Sequence, residues 1–361
     1  MPLLDEGATE IGEVGYRATE RRTSEPKERR EHLAHDACIP PEDRDFMQLG
    51  DLTVYHDGRL VRYDDAKVGL LTHGLQYGTG CFEGVRGFWN AREEELFLLQ
   101  LEAHYERLEQ SARILMIKLP LSTSELCDLT VELCARNNLR GDVYVRPFAY
   151  KANEDVGVRL HDVKDAFAMV AIPFERYFDA QRGLNVGVSS WRRIDDTMAP
   201  ARAKITGTYV NSALAKSDAI LSGFDEAILL SAEGHVCEGS AENVFIVRGG
   251  IVYTPDPSQN ILEGVTRRVI ITLARQELGL QVVERPIDRS ELLVSDEMFI
   301  TGSAAGIQWI ESVDHRPIGA GTRGPIATAL IDLYDHAIRG GIPKYESWLT
   351  RTYKGRVAAF S

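Results

Sequence analysis

Apolar positions recur along this chain in two rhythms, and the switches between them outline its elements. In "EAHYERLEQSARILMI" the residues Leu108, Ala112 and Leu115 fall on one face at helical spacing. "STSELCDLTVELCARNNL" repeats that spacing behind a Ser/Thr cap and predicts a second helix. Shorter apolar runs, "DVYVRPFAY" and "DAFAMVAIPF", predict strands. Upstream, "LTVYHDGRLVRYDD" predicts two strands joined through Asp57-Gly58, a residue pair that tolerates positive φ in a tight hairpin.

The pattern then begins again. "LNVGVSSW" predicts a strand, and Val210, Leu214 and Leu221 line one side of a following helix. "EAILLSAEGHVCEGSAENVFIVRGGIVYTP" is a meander of strands with Glu-Gly and Gly-Gly turns, and "GVTRRVIITLARQELG" is an amphipathic helix closed by glycine. "EMFITGSAAGI" predicts one strand, and a last helix falls near 324–338. No repeat of solenoid period is present. The expectation is an α/β (α+β) chain of two domains, residues 46–172 and 182–340, joined by the connector 173–181 and followed by a C-terminal extension, 341–361.

Residues 1–45 break the pattern. "GYRATERRTSEPKERREHLAHD" is dense in charge and without apolar periodicity, so a disordered tail is expected there. Its glutamates do not suit a mitochondrial transit peptide, and no apolar secretory core is present. The whole chain has 361 residues, 44% of them hydrophobic and 26% charged, with a net charge of −13. That acidic balance argues against a nucleic-acid partner, since phosphate backbones want a basic face. No apolar run approaches the roughly 20 residues needed to cross a bilayer. The five cysteines form no CxxC pair, which fits a reducing cytoplasm, and the nine histidines show no metal-binding spacing.

The candidate chemistry gathers around "ARAKITGTYVNSALAK". Lys204 sits on a turn between small residues, and Tyr209 follows on the first turn of the helix. Glu238 ends a strand in "CEGSAENVF". "LEGVTRRV" places Gly264 before a helix N-terminus with Thr266 beside free amides, a ready phosphate seat. Lysine, carboxylate, phenol and phosphate seat are the groups that pyridoxal 5′-phosphate requires: an amine for its aldehyde, an acid for its ring nitrogen, a donor for its 3-oxygen. "GTGCFEG" misses the dinucleotide fingerprint by one residue, and "GSAAG" is not a nucleophile elbow.

The strings "HGLQYGTGCFEGVRGF", "HYERLEQSA", "VYVRPF", "AKITGTYVNS", "EGSAENVFIV", "GVTRRVI" and "TGSAAGI" occur in the order and near the spacing of one family. From about residue 50 to 340 the chain resembles the branched-chain amino acid aminotransferases, fold-type IV enzymes dependent on pyridoxal phosphate. The resemblance implies Lys204 as Schiff-base lysine and proton carrier, Glu238 at the pyridine nitrogen and Tyr209 at the 3-oxygen. It implies Arg107, Val265, Thr266 and Ser303 at the phosphate, beside Gly264. Tyr144 with the amides around Ser303 and Ala304 would take the substrate α-carboxylate. Tyr77, Phe82, Gly84 and Tyr177 would wall the side-chain pocket, and Arg146 would meet the distal carboxylate of glutamate. Glu242 is read as structural.

The implied reaction moves an amino group from leucine, isoleucine or valine to 2-oxoglutarate. The implied partners are therefore small amino acids and 2-oxo acids, with no metal, and the implied assembly is a homodimer. Other fold-type IV activities stay open, namely a D-amino acid or amine transaminase, or an aminodeoxychorismate lyase; "VYVRPF" favours the branched-chain group. A silent carrier of the cofactor would need neither Lys204 nor Glu238. The chain departs from the family pattern after Lys204, where a second glycine is usual, and at Glu263, Gly306 and Trp309.

Overall fold

The computed structural model describes residues 49–175, 177–179 and 181–354. The stretch 1–45 and the end of the extension, 355–361, lie outside the described residues. Two sheets organise the rest, one built mainly from each half of the chain.

The first sheet contains β1 (Thr53–His56), β2 (Arg59–Arg62), β3 (Gly80–Phe82), β4 (Val85–Asn90), β5 (Glu95–Leu99), β6 (Val143–Lys151) and β7 (Asp165–Pro173). Asp57 and Gly58 take φ of 44° and 90°, and β1 and β2 form the expected hairpin across them. After the short α1 (His73–Tyr77), the helices α2 (Leu101–Ile114) and α3 (Thr123–Arg136) cover one face. Ser122 and Glu125 cap α3 reciprocally, as the Ser/Thr signal predicts. Leu108, Ala112, Leu126, Leu129 and Leu133 share one core with Leu96, Leu98, Val145 and Phe167 of the strands. Each large apolar side chain removed from water there contributes about 1.5–3 kcal/mol.

The second half contributes β8 (Leu184–Arg192), α4 (Tyr209–Leu221), β9 (Glu226–Leu230), β10 (Val236–Gly239), β11 (Asn243–Arg248) and β12 (Ile251–Thr254). Then come α5 (Val265–Gln276), β13 (Val282–Glu284), α6 (Arg289–Leu292), β14 (Glu297–Gly302), β15 (Gly306–Val313), β16 (Arg316–Pro317) and α7 (Pro325–Ile338). Their order is β10-β9-β8-β15-β14-β11-β12-β13, with β16 beside β15, and β10 also pairs β11 through Glu238 and Asn243. That last pairing closes β8, β9, β10, β11, β14 and β15 into a ring. Alternate residues, among them Val186, Ile228, Val244, Ile246, Ile300 and Ile310, share the core inside it. On its outside, α5 and α7 pack over Phe245 and Phe299 and reach Phe88 and Leu99 of the first sheet.

Three readings change. "EMFITGSAAGI" is not one strand: it breaks at Gly302, turns through Ser303–Ala305 and resumes as β15, with Gly306 at a φ of 64°. The apolar stripe of α4 does not face the core. Ser212, Ala215 and Ala219 are the buried side, with the two alanines packed on Ala227 and Leu229, while Val210, Leu214 and Leu221 are exposed. Finally, the C-terminal extension returns to the first sheet. β17 (Leu349–Arg351) pairs with β5 at its edge, giving the order β17-β5-β4-β6-β7-β1-β2 with β3 beside β6. The buried Glu95 carboxylate then accepts the amides of Thr352, Tyr353 and Lys354.

Candidate active site

The loop bearing Lys204 is fastened to the first sheet by its own backbone. Phe82 N–H donates to Lys204 O (3.1 Å), Thr206 N–H to Gly80 O (2.8 Å) and Gly207 N–H to Gly78 O (3.1 Å). A Cβ on Gly78 would stand 2.7 Å from the Cα of Gly207, so this crossing needs glycine at position 78. Ala203 and Ile205 are buried in the core of the first sheet. Anchored on both sides, Lys204 points the other way, and its Nζ donates to Tyr209 Oη at 2.7 Å. The lysine thus belongs to a built site rather than to a solvated loop.

Below it lies Glu238, at the strand end that closes the ring. One carboxylate oxygen pairs with Arg193 at 2.8 Å. The other accepts Leu262 N–H at 2.9 Å and Asn243 Nδ2 at 3.4 Å. Glu238, Lys204, Tyr209 and Asn243 line one recess. Asn243 also bonds Leu262 O (2.9 Å), fixing the chain that leads into α5.

At the N-terminus of α5 the cap is Gly264, which offers no side-chain oxygen, so the first amides have no capping partner. A Cβ on Gly264 would collide with Asn243 Oδ1. Arg107, from α2, approaches this end. Its Nε and Nη2 donate to the two oxygens of Glu83 (2.7 and 2.8 Å), and Nη1 donates to Glu263 O (2.9 Å). One N–H on each Nη remains, and the pair forms a fork suited to phosphate oxygens. His104 Nδ1 lies 2.8 Å from Glu83 Oε2. Burial pushes the Glu83 carboxyl up, but Arg107 and His104 outweigh it and hold it far below the usual carboxylate range. Burial lowers His104 against the pull of Glu83, so the ring is neutral and donates from Nδ1.

The other end of the cleft holds the expected substrate residues. Phe82, Gly84, Tyr144, Arg146, Tyr177, Ser303 and Ala304 line it together with Lys204, Arg107 and Thr266, around a volume of about 270 Å³. Gly84 is needed there, because a Cβ would collide with Tyr144 Oη. Arg146 donates to Tyr144 Oη (2.9 Å) and sits 4.3 Å from the Phe82 ring centroid, exposed at the cleft mouth. Glu242 also lines the cleft, with burial and then Glu226 raising its carboxyl to about 8.

Tyr77 is the residue this grouping leaves out. It stands on α1 beside a different groove, with Leu75, Phe148, Thr206 and Val210, and its Oη accepts Gly157 N–H at 3.3 Å. Glu83, His104, Arg193 and Asn243 are site residues that the sequence reading missed. Glu83 lay between two residues already singled out, Phe82 and Gly84, and a carboxylate in that apolar stretch was the available signal.

The donor set fits pyridoxal phosphate: an amine beside a phenol, an anchored carboxylate, and a guanidinium fork facing uncapped helix amides. Among the described residues, no group of His, Cys, Asp and Glu is arranged to hold a metal, and no helix is long and apolar enough to cross a membrane.

Residues 80–313 match the family model for amino-transferase class IV, and the chain belongs to that family. A probable branched-chain-amino-acid aminotransferase of Aquifex aeolicus (strain VF5) is 46% identical over 299 residues, covering 83% of this chain and 96% of that one. The crystal structure of a branched-chain aminotransferase from Thermoproteus uzoniensis with norvaline superposes with a TM-score of 0.81 at 41% identity, covering 84% of this chain and all (100%) of that one. The T.th. branched-chain amino acid aminotransferase complexed with N-(5′-phosphopyridoxyl)-L-glutamate gives 0.80 at 37% identity, over 84% of this chain and 99% of that one. The resemblance to fold-type IV branched-chain aminotransferases is borne out.

Proposed function

We propose that this chain transfers the amino group of leucine, isoleucine or valine to 2-oxoglutarate with pyridoxal phosphate as cofactor. One observation carries the reading: the Lys204 amine, 2.7 Å from a phenol, stands in a cleft with a phosphate fork at one end and an arginine-edged apolar wall at the other. Two solved relatives point the same way, one holding norvaline and the other N-(5′-phosphopyridoxyl)-L-glutamate.

Arg107, with the amides of Val265 and Thr266 and the Ser303 hydroxyl, would hold the phosphate. Tyr209 would meet the 3-oxygen. Glu238, held in place by Arg193 and the Leu262 amide, would favour a protonated ring nitrogen. When bound, the cofactor supplies an aldehyde and an electron-withdrawing ring that makes the substrate Cα–H acidic. Lys204 Nζ would take that proton and return it to the carbon on the other side of the amino nitrogen, with Tyr209 Oη holding the amine between the two positions. Tyr144 and the Ser303–Ala305 turn would seat the α-carboxylate. Phe82 and Tyr177 suit a branched side chain, while Arg146 at the rim accommodates the distal carboxylate of glutamate.

The working form is read as a homodimer. Val68, Leu70, Leu71, Leu75, Tyr77 and Val210 are large exposed apolar residues, several of them around the groove on α1. Joining two copies there would cover this surface and offer Tyr77 to a neighbouring cleft. We read the chain as a small domain, 46–172, and a larger one, 182–340, joined by the connector 173–181. A reducing cytoplasm suits Cys81, Cys127, Cys134 and Cys237, all free thiols.

Borohydride reduction of the holoenzyme followed by peptide mapping is expected to fix the cofactor on Lys204. Glutamate release from 2-oxoglutarate should then be greatest with branched L-amino donors in a panel that includes D-amino acids and simple amines. A label elsewhere, or best turnover with a D-amino acid or an amine, would sink the assignment.

A further inference from the structure

The Ser303–Ala305 turn is a thin wall. One side lines the cleft with Lys204; the other lines a small second pocket of about 50 Å³, walled by Phe88, Ile331, Tyr334 and Ile338. The turn thus meets open space on both sides, and its small side chains give it little purchase of their own.

Arg86, on β4, reaches this wall from the second cavity. It is 4% exposed. Its Nη1 donates to Ala304 O (3.2 Å), Nε to Val143 O (3.1 Å) and Nη2 to Phe174 O (3.1 Å). The guanidinium lies 5.1 Å from the Phe88 ring centroid and 4.8 Å from that of Phe174. Asp142 stands off at 3.9 Å and is itself held by Arg339 at 2.8 Å. A buried guanidinium thus meets carbonyls from β6, from the end of β7 and from the β14–β15 turn. An apolar side chain would fill the same space with less desolvation cost, so the charge is explained by what it fixes.

We propose that Arg86 is a positioning residue: it holds the Ala304 carbonyl on the far side of the wall and so aims the turn's amides at the substrate α-carboxylate. Its bond to Val143 O keeps the neighbouring Tyr144 in register with those amides. The proposal rests on reading the turn as the carboxylate seat, and the test separates the two.

The holoenzyme is titrated with 4-methylpentanoate and with its uncharged amide. Equal affinity in the unaltered protein overturns the carboxylate-seat reading itself. Given a preference for the acid, Arg86→Gln is expected to cut that preference about tenfold, the worth of one well-placed hydrogen bond. Arg86→Lys, which keeps a cation and one donor, should restore part of it and serves if the glutamine variant does not fold. Cofactor content and kcat at saturating leucine should stay within about twofold, with the loss in KM. Full preference for the acid in the lysine variant, or acid and amide weakened alike, overturns the role of Arg86 while leaving the seat intact.

Discussion

The two ends of the cleft are built to different standards. At the proposed phosphate end, Arg107 is buried, doubly bonded to Glu83 and tied to Glu263 O before any ligand arrives. At the proposed substrate end, Arg146 is exposed, Tyr77 faces another groove, and the proposed carboxylate seat is a wall between two cavities. The cofactor end is thus preorganised within one chain. The substrate end keeps open surface, which suits a reaction whose two partners differ in charge.

The contrast breaks most sharply at Glu83. Replacing it by glutamine leaves the Arg107 charge buried without its anion, a loss of about 3–5 kcal/mol for such pairs. The cofactor-free protein should therefore show a much lower Tm, and the holoenzyme a smaller fall, because the phosphate then supplies the missing negative charge. Equal falls in both forms would show that the phosphate end is not arranged around a shared cation.

A smaller effect is expected at the open end. Arg146→Ala should raise KM for glutamate and 2-oxoglutarate by about 10- to 100-fold, the range of one or two hydrogen bonds to a charged group. Leucine should change by less than about threefold. Equal losses in steady-state kinetics would remove Arg146 from substrate discrimination.

The mildest expectation concerns Glu242, between the two ends. Its carboxyl sits at about 8 in the folded protein, raised by burial and by Glu226. The folded state therefore holds a proton that the unfolded chain has released, from the ordinary carboxylate range up to about 8. Glu242's contribution to stability should be complete in acid below that range and fall as pH rises through it. Glu242→Gln should flatten this slope by a few degrees of Tm between mildly acidic and mildly alkaline buffer, and an unchanged slope would contradict the assignment.

Much of the site was legible because it is local. Lys204 and Tyr209 share one turn, and Gly264 and Thr266 announce a helix start by spacing alone. The partners that hold these groups were not legible, because they come from distant segments. The strip 78–82 that fastens the lysine loop, and Arg193 beneath Glu238, leave no periodic trace. Helical spacing likewise found α4 but chose the wrong side, since three large apolar residues outweighed Ser212, Ala215 and Ala219. Those small residues let the helix lie close to β8 and β9. The break at Ser303 escaped notice because "SAAG" carries no strong turn residue before its glycine.

One pairing orders events in time. β5, whose residues are all buried, is covered at its edge by β17, the last strand among the described residues, and Glu95 waits for amides 257 to 259 positions further along the chain. During synthesis the first sheet therefore keeps an apolar margin unmatched until residues 349–354 have left the ribosome. The nascent protein is most prone to wrong partners in that interval, and β17 with the residues after it is what ends that exposure.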